Sequence, residues 1–131
     1  RGHAASSLAQ RLGCVVVLKG SNTVVSDGLR EWTSDATNPA LATAGTGDVL
    51  TGVIAGLVAQ FFKPHLGGGS HAITAEDQGG LSLYDCARLG VAIHARAADA
   101  WSAQHGDAGL IVRDLLALLP DALTAFPRQA G

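Results

Sequence analysis

The chain has 131 residues, of which 47% are hydrophobic and 15% are charged, a composition typical of a folded domain and not of a disordered segment. Its nine basic and eleven acidic residues give a formal net charge of −2 and form no long runs. This balance provides no electrostatic field that would attract nucleic acid or a membrane surface, so we expect neither as a partner. The length and the uniform composition predict one domain, or part of one.

The cysteines and the longest apolar stretch bear on the compartment. Cys14 and Cys86 lie far apart in apolar stretches, and neither has a second cysteine or a histidine at metal-ligand spacing. We therefore predict two buried thiols in a reducing compartment, and we expect a cytoplasmic protein. The longest apolar stretch, Val49 to Phe62, has about 14 residues, whereas a membrane-spanning helix needs about 20. It predicts a buried helix.

The N-terminal third predicts a helix followed by strands. Small and apolar residues recur at three- and four-residue spacing from His3 to Leu12, which predicts an amphipathic helix that ends at Gly13. The apolar run CVVVL, Cys14 to Leu18, predicts a strand covered on both faces, as in parallel sheets. The apolar segments on either side of Ser26-Asp27-Gly28 predict a hairpin at one edge of the sheet.

A helix is predicted directly after Asp48. Its apolar positions recur at helical spacing, and they are Leu50, Val53, Ile54, Leu57 and Phe61. Gly52 and Gly56 are four residues apart on one stripe of this helix. The absence of side chains there predicts close packing against a neighbouring element.

The C-terminal half predicts a loop and two further helices. Residues 63–81 are rich in glycine and have no apolar pattern, which predicts a flexible loop. Ser82, followed three residues later by an acidic residue, resembles a capping box at the start of a helix to about Gln104. His94 falls on or near the packed side of that helix, where a core histidine is expected. A last short helix, Arg113 to Leu119, is predicted to stop at Pro120.

The segment Asn38 to Gly52, NPALATAGTGDVLTG, predicts a loop that leads into a helix and holds an anion. The first turn of a helix has N–H groups without internal partners and carries partial positive charge. Gly45 and Gly47 lack the Cβ atoms that would keep a phosphate at a distance, so we predict a phosphate cradle. The P-loop ending Gly-Lys-Ser/Thr is absent, and the dinucleotide fingerprint would need glycine at Leu50.

Asp48 is unexpected in such a cradle, because its carboxylate would repel a phosphate unless it faces the other reactant. We predict that Asp48 is catalytic, as the base for a substrate hydroxyl that attacks phosphorus. The alternative is that Asp48 only caps the helix within a tight loop. A second segment that could face a nucleotide is Lys19-Gly20, which follows the buried strand at the end where α/β sheets bind ligands, with Thr23 close by.

Three segments in this order, VVVLKGSNTVV, NPALATAGTGDVLTGVIAGLVAQ and GVAIHARAADA, resemble the ADP- or ATP-dependent NAD(P)H-hydrate dehydratases of the ribokinase-like superfamily. The resemblance extends from Arg1 to about Leu123. It implies an α/β fold, with residues 1–131 forming the C-terminal part of one three-layer ribokinase-like domain that has few strands and packed helices. It also implies that this chain is catalytically incomplete, and that the N-terminal half of the domain, or another copy, covers an unpaired sheet edge.

The family phosphorylates the hydroxyl of hydrated NADH or NADPH with ADP or ATP and then eliminates phosphate, which restores the double bond; ADP gives AMP. The resemblance implies that Asp48 contacts the hydrate as the base. Gly47 would contact the nucleotide, and Gly45 and Thr46 would complete the anion hole. Mg²⁺ is expected, although no residue is predicted as a metal ligand. The implied nucleotide segment consists of Lys19, Gly20, Ser21, Asn22 and Thr23.

Two departures from the family pattern are visible at small residues. Ala40 and Ala44 stand where many members have glycine, and Ala44 is tolerated if its φ is negative.

Two alternative functions stay open. The first is a ribokinase-like kinase for a small alcohol such as a vitamin precursor, since the Gly-Thr-Gly-Asp chemistry is shared, although KGSNTVV and NPALATAGTGD favour the dehydratase. The second is a non-catalytic nucleotide-binding remnant.

Overall fold

The computed structural model describes residues 1–63 and 79–126. The described elements confirm the predicted α/β class. The predicted loop of residues 63–81 lies mostly outside the described residues, and the structure therefore does not test this prediction. Within the described ranges, no helix is long and apolar enough to cross a membrane. In chain order, the elements are α1 (Gly2–Leu12), β1 (Val16–Leu18), β2 (Val24–Ser26), β3 (Glu31–Thr33), a 3₁₀ turn (Pro39–Leu41), α2 (Thr46–Phe61), α3 (Leu83–His105) and α4 (Val112–Thr124).

The three strands form an antiparallel sheet of order β1-β2-β3, with α1 on one face and α3 on the other. Val25 of the central strand lies opposite Val17 and Trp32, and this row packs with Val91 of α3. The next residue, Ser26, points the other way, and its hydroxyl lies 3.0 Å from the Ser6 hydroxyl of α1. The strand alternation therefore separates the two helical layers.

The predicted hairpin is confirmed as β2 and β3, but the prediction for the first strand was partly wrong. β1 runs antiparallel to β2, and its three residues are only half-buried. It begins two residues later than predicted because Cys14 still belongs to the end of α1, where its N–H donates to the Ala9 carbonyl. Cys14 is consequently exposed, whereas Cys86 is buried as predicted, which raises the pKa of its thiol.

The main core lies between α2, α3 and α4. Close helix packing occurs at Gly90 of α3, where a Cβ atom would lie 2.5 Å from Ile54 Cγ1 and 3.4 Å from Ile54 Cα. The expectation for Gly52 and Gly56 was wrong, since a Cβ atom on Gly52 would meet nothing within 4 Å and one on Gly56 would meet only Gln60 Nε2 of the same helix, at 4.0 Å. The apolar face of α2, and not its glycine stripe, packs against α3, so the glycine that permits close contact lies on α3.

The start of α3 is confirmed, whereas the end of α4 was predicted wrongly. Ser82 caps α3 by accepting the Asp85 N–H at 3.1 Å. α4 continues to Thr124 with Pro120 inside it. Proline removes one backbone hydrogen bond there, but Pro120 is exposed, so water can reach the carbonyl left without a partner. Ala122, two residues after Pro120, is buried in the core and holds the last turn in place.

We predict opposite effects for alanine at the two glycines. Gly90→Ala should destabilise the protein by about 1 to 3 kcal/mol, because the new methyl group overlaps Ile54 on the facing helix. Gly52→Ala, the matched control, should stabilise it by about 0.5 to 1 kcal/mol, because alanine favours helix and the site is open. Chemical denaturation of the two variants measures both changes; equal stabilities would contradict this account of helix packing.

Candidate functional site

A cleft of about 450 Å³ lies between the end of β1, the chain that leads into α2, and α3. Its polar wall includes the residues after β1, and its apolar wall comes from α2, α3 and the 3₁₀ turn. Of the predicted site residues, six line it: Lys19, Gly20, Ser21, Thr23, Thr46 and Gly47. The apolar wall includes Leu41, Leu50, Val91 and Ala95.

Lys19 joins the two segments that the sequence marked separately. Its Nζ donates to the Gly47 carbonyl at 3.3 Å, across 28 residues of sequence. A Cβ atom on Gly47 would lie 2.9 Å from that nitrogen, so glycine makes room for the ammonium group. The end of β1 and the start of α2 therefore meet at one positive point on the cleft wall.

The amide groups at the start of α2 are not equivalent. The Thr46 N–H donates to Thr43 O at 3.3 Å, and the Asp48 N–H donates to Gly45 O at 3.0 Å. The Gly47 N–H has no acceptor among the described residues. The Thr46 hydroxyl is also engaged, with the Leu41 carbonyl at 2.7 Å. Gly47 therefore offers the amide for an anion, while Thr46 holds the loop in shape.

Gly45 shapes the turn and does not line the cleft. It is the N-cap residue of α2, with φ 89° and ψ −14°, a left-handed conformation that favours glycine. A Cβ atom there would also lie 2.8 Å from Val112 Cγ2. The φ of Ala44 is not positive, so alanine is tolerated at this position, where many members of the family have glycine.

Asp48 lies in the first turn of α2 and is exposed. It is three residues after the N-cap, and no side chain caps this helix. Its carboxylate makes no hydrogen bond with the described part of the chain and does not line the cleft wall. Asp48 is thus not a capping residue, and its exposed side chain follows Gly47 directly in sequence.

Two residues of the nucleotide segment serve the loop itself. Asn22 does not line the cleft; its Nδ2 donates to the Ser34 carbonyl at 3.2 Å. The Thr23 hydroxyl donates to the Gly20 carbonyl at 3.1 Å, although Thr23 also lines the cleft. These bonds fix the turn between β1 and β2, which presents Lys19 and Ser21.

His94 enters the cleft wall from α3, and sequence reasoning had assigned it only a place in the core. It is 6% exposed, and its Nε2 lies 2.8 Å from the Thr46 carbonyl. A carbonyl only accepts, so Nε2 carries the hydrogen. Burial, and to a smaller extent the Lys19 charge, lower the pKa of His94, while the bond to Thr46 acts in the opposite direction. The imidazole is therefore neutral at pH 7.

A second link from α3 holds the other end of the loop. Asn38 Nδ2 donates to Asp99 Oδ1 at 2.8 Å and to Ser102 Oγ at 3.1 Å, and Asn38 Oδ1 accepts the Ala40 N–H. Sequence reasoning missed this network because its partners are more than 60 residues apart. The segment between Asn38 and Thr46 is thus fixed to α3 at both ends.

The donor set of the cleft does not fit a metal ion held by the protein. Among the described residues, no aspartate or glutamate lines the wall. Across residues 1–63 and 79–126, no group of three or more His, Cys, Asp or Glu side chains could hold a metal. Mg²⁺ prefers carboxylates and phosphate oxygens, so these residues would need a ligand's phosphates to bind it. The ammonium of Lys19 and the amide of Gly47 fit a phosphate instead.

An α/β domain that places a lysine and an open amide at a helix start has the features of a phosphate-binding domain. The family model described as NAD(P)H-hydrate dehydratase matches residues 1–121. The chain therefore belongs to the NAD(P)H-hydrate dehydratase family.

Its relatives are longer proteins. A bifunctional NAD(P)H-hydrate repair enzyme of Vibrio cholerae is 40% identical over 116 residues, which are 88% of this chain and 20% of the relative. An ADP-dependent (S)-NAD(P)H-hydrate dehydratase of Cenarchaeum symbiosum is 32% identical over 92% of this chain and 35% of the relative. The solved structure of Bacillus subtilis YxkO, a UPF0031 family member, superimposes with a TM-score of 0.75 and 27% identity over 95% of this chain and 40% of that one. The chain thus spans between one fifth and two fifths of these relatives.

We predict that His94 makes the stability of the fold depend on pH. Its pKa in the folded protein lies below the ordinary value of 6.5, so the unfolded chain takes up the proton first as the pH falls. The free energy of unfolding should therefore decrease from pH 6.5 downward, until the folded histidine is protonated as well. Melting temperatures between pH 7.5 and 5.5 should fall less in His94→Gln, and parallel curves for the two proteins would contradict this prediction.

Proposed function

We propose that this chain forms the nucleotide-binding part of an ADP-dependent (S)-NAD(P)H-hydrate dehydratase, an enzyme that repairs hydrated NADH and NADPH. The observation that carries the proposal is the contact between Lys19 Nζ and the Gly47 carbonyl. It brings the segment after β1 and the segment before Asp48 to one point, where a phosphate chain would meet both. The family membership and the relatives named as ADP-dependent support this substrate pair.

The cleft wall suggests how the nucleotide is held. Lys19 and the Gly47 N–H would bind phosphate oxygens, and the start of α2 adds partial positive charge. Leu41, Leu50 and Val91 provide apolar surface for the base or the ribose. Any Mg²⁺ would arrive with the nucleotide and share its phosphates, because the part of the cleft wall that the structure describes has no carboxylate.

Asp48 is the proposed base. It lies one residue after Gly47, so a hydroxyl beside it would be adjacent to a phosphate bound at the Gly47 N–H. Asp48 would take the hydroxyl proton as the oxygen attacks the terminal phosphorus of ADP and AMP leaves. The phosphorylated hydrate then loses phosphate from one ring carbon and a proton from the adjacent carbon to solvent, and the electrons of the broken C–H bond form the double bond of the nicotinamide ring. The exposed carboxylate, without partners among the described residues, suits a group that faces a second substrate.

We also propose that a further chain segment or another copy completes the domain and the hydrate site. β1 pairs only with β2 among the described strands, and its residues are half-buried. An open strand edge is a place where another strand can add. The longer relatives support this proposal, and full hydrate dehydration by purified residues 1–131 would contradict it.

We predict that Asp48→Asn separates chemistry from binding. Asparagine has nearly the same shape but cannot accept the proton, so turnover should fall at least about 100-fold, while the dissociation constant of ADP stays within about threefold. ADP-dependent recovery of NADH absorbance from the hydrate measures turnover in the full-length protein, and calorimetry measures binding. Asp107→Asn, at an exposed turn after α3, is the control and should keep full activity. Unchanged turnover in Asp48→Asn would show that Asp48 is not the base, whereas ADP binding without any turnover in the wild-type protein would favour the non-catalytic alternative.

We predict that Lys19→Met weakens ADP binding about tenfold, because a charge-assisted bond to phosphate is lost. The effect should shrink at high salt, where the remaining electrostatic attraction is screened. Lys63→Met is a matched control: it removes the same charge beyond the far end of α2, a helix of 16 residues and hence about 24 Å long. If both variants weaken ADP binding equally, Lys19 has no specific part in the site.

A small-alcohol kinase is the alternative that the relatives keep open, since YxkO is named as a candidate kinase. The two reactions differ in their products. A dehydratase regenerates NADH absorbance and releases phosphate, whereas a kinase leaves a stable phosphorylated alcohol. Phosphorus NMR of the reaction mixture distinguishes free phosphate from a phosphate ester.

A further inference from the structure

His94 contacts one specific peptide group. Its Nε2–H donates to the Thr46 carbonyl at 2.8 Å, and that carbonyl belongs to the peptide that joins Thr46 to Gly47. In a planar trans peptide the carbonyl and the N–H point in opposite directions, so fixing one also fixes the other. The N–H of this peptide is that of Gly47, which has no acceptor among the described residues. His94 therefore helps the helix to fix the direction of the amide that is open to a ligand.

This peptide lies at the very start of α2, where helices fray, so the bond of its carbonyl to the Leu50 N–H within the helix is its weakest-supported one, and His94 adds a restraint from a second helix. Glycine on its C-terminal side permits a wider range of backbone angles than any other residue. The loop before it is tied down at Asn38 and Thr46, but by contacts that do not involve the Gly47 N–H. His94 is rigid by comparison, because it is 6% exposed on a helix whose neighbouring residues Ile93 and Ala95 are also buried.

The other ring nitrogen supports a role beyond filling the core. With Nε2 protonated and the ring neutral, Nδ1 is an acceptor, and the described residues provide no donor to it. His94 lines the cleft together with Lys19 and Gly47.

We propose that His94 is a positioning residue that orients the Thr46–Gly47 peptide so that the Gly47 N–H points at a phosphate of a nucleoside diphosphate in the cleft. The identity of the ligand rests on the proposed function, whereas the restraint on the peptide does not. The bond to the carbonyl also polarises the peptide and strengthens its N–H as a donor. His94 itself does not touch the reacting atoms.

The first test compares ligands with and without phosphates in the full-length protein. Glutamine can place an amide nitrogen where Nε2 lies, so His94→Gln should keep ADP affinity within about threefold. His94→Ala and His94→Asn lose the bond to Thr46 and should bind ADP about tenfold more weakly. Adenosine affinity should be the same in all of them, because adenosine has no phosphate to bind Gly47. His105→Ala is the control on the same helix; His105 bonds to the Trp101 carbonyl and lies outside the cleft wall.

The outcomes separate two failures. Equal losses of ADP and adenosine affinity in His94→Ala, or no rescue by His94→Gln, would show a general packing role and overturn the inference. If the wild-type protein binds ADP and His94→Ala binds it equally well, the inference fails while the proposed function stands. If the wild-type protein binds neither ligand, the proposed function fails, and with it the phosphate part of the inference.

A second test needs no nucleotide. Nitrogen-15 NMR of the free protein at pH 7 should show a neutral His94 with the hydrogen on Nε2. The Gly47 amide signal should shift in His94→Ala and return toward the wild-type position in His94→Gln. An Nδ1–H tautomer, or a Gly47 signal that is unchanged in His94→Ala, would overturn the restraint itself.

Discussion

The packing of α2 against α3 is the constraint on which the site depends. Gly90 lets the Ile54 side chain and backbone approach α3 closely, and this approach sets the distance between the two helices. Because His94 lies one turn after Gly90, it reaches the first turn of α2 and bonds to Thr46. The same pair of helices carries Leu50 and Val91, which cover Val25 of the sheet. The position of the helix start, and hence of its open amide, follows from core packing.

The sheet supplies the opposite wall by a different route. The turn between β1 and β2 is held by hydrogen bonds within the loop and to Ser34, so Lys19 leaves the strand end in a defined direction. The ammonium group then lies against the Gly47 carbonyl at the start of α2. The start of a helix carries partial positive charge, which repels the ammonium group. A bound anion would compensate both positive charges and so reduce this repulsion. The two walls are therefore complementary to a negative ligand before any ligand arrives.

Local patterns predicted the parts of the fold that depend on neighbouring residues. The helical spacing of apolar residues after Asp48 predicted α2, the cap at Ser82 predicted α3, and the turn at Gly28 predicted the β2–β3 hairpin. The direction of β1 could not be read from CVVVL, since a continuous apolar run does not specify its partner, and the exposure of Cys14 follows from that misplaced start. The continuation of α4 through Pro120 depends on the burial of Ala122, which only tertiary packing determines.

The candidate site divides along the same line. Gly47 at a helix start and Lys19 after a strand are visible in a linear sequence, and both line the cleft. The contacts of His94 and of the Asn38–Asp99–Ser102 network are not visible in the sequence, because their partners lie 48 to 64 residues apart. The sequence also cannot show which amides at the helix start are already occupied.

The short, antiparallel sheet has a consequence for handling the protein. β1 presents backbone donors and acceptors along an outer edge, and its side chains Val16, Val17 and Leu18 are apolar and half-buried. Such an edge is a template for strand addition between molecules, and it has none of the charges or prolines that usually block it. A strand that pairs with this edge would increase solubility as well as complete the sheet, because it would cover the surface of the sheet that is most prone to aggregation.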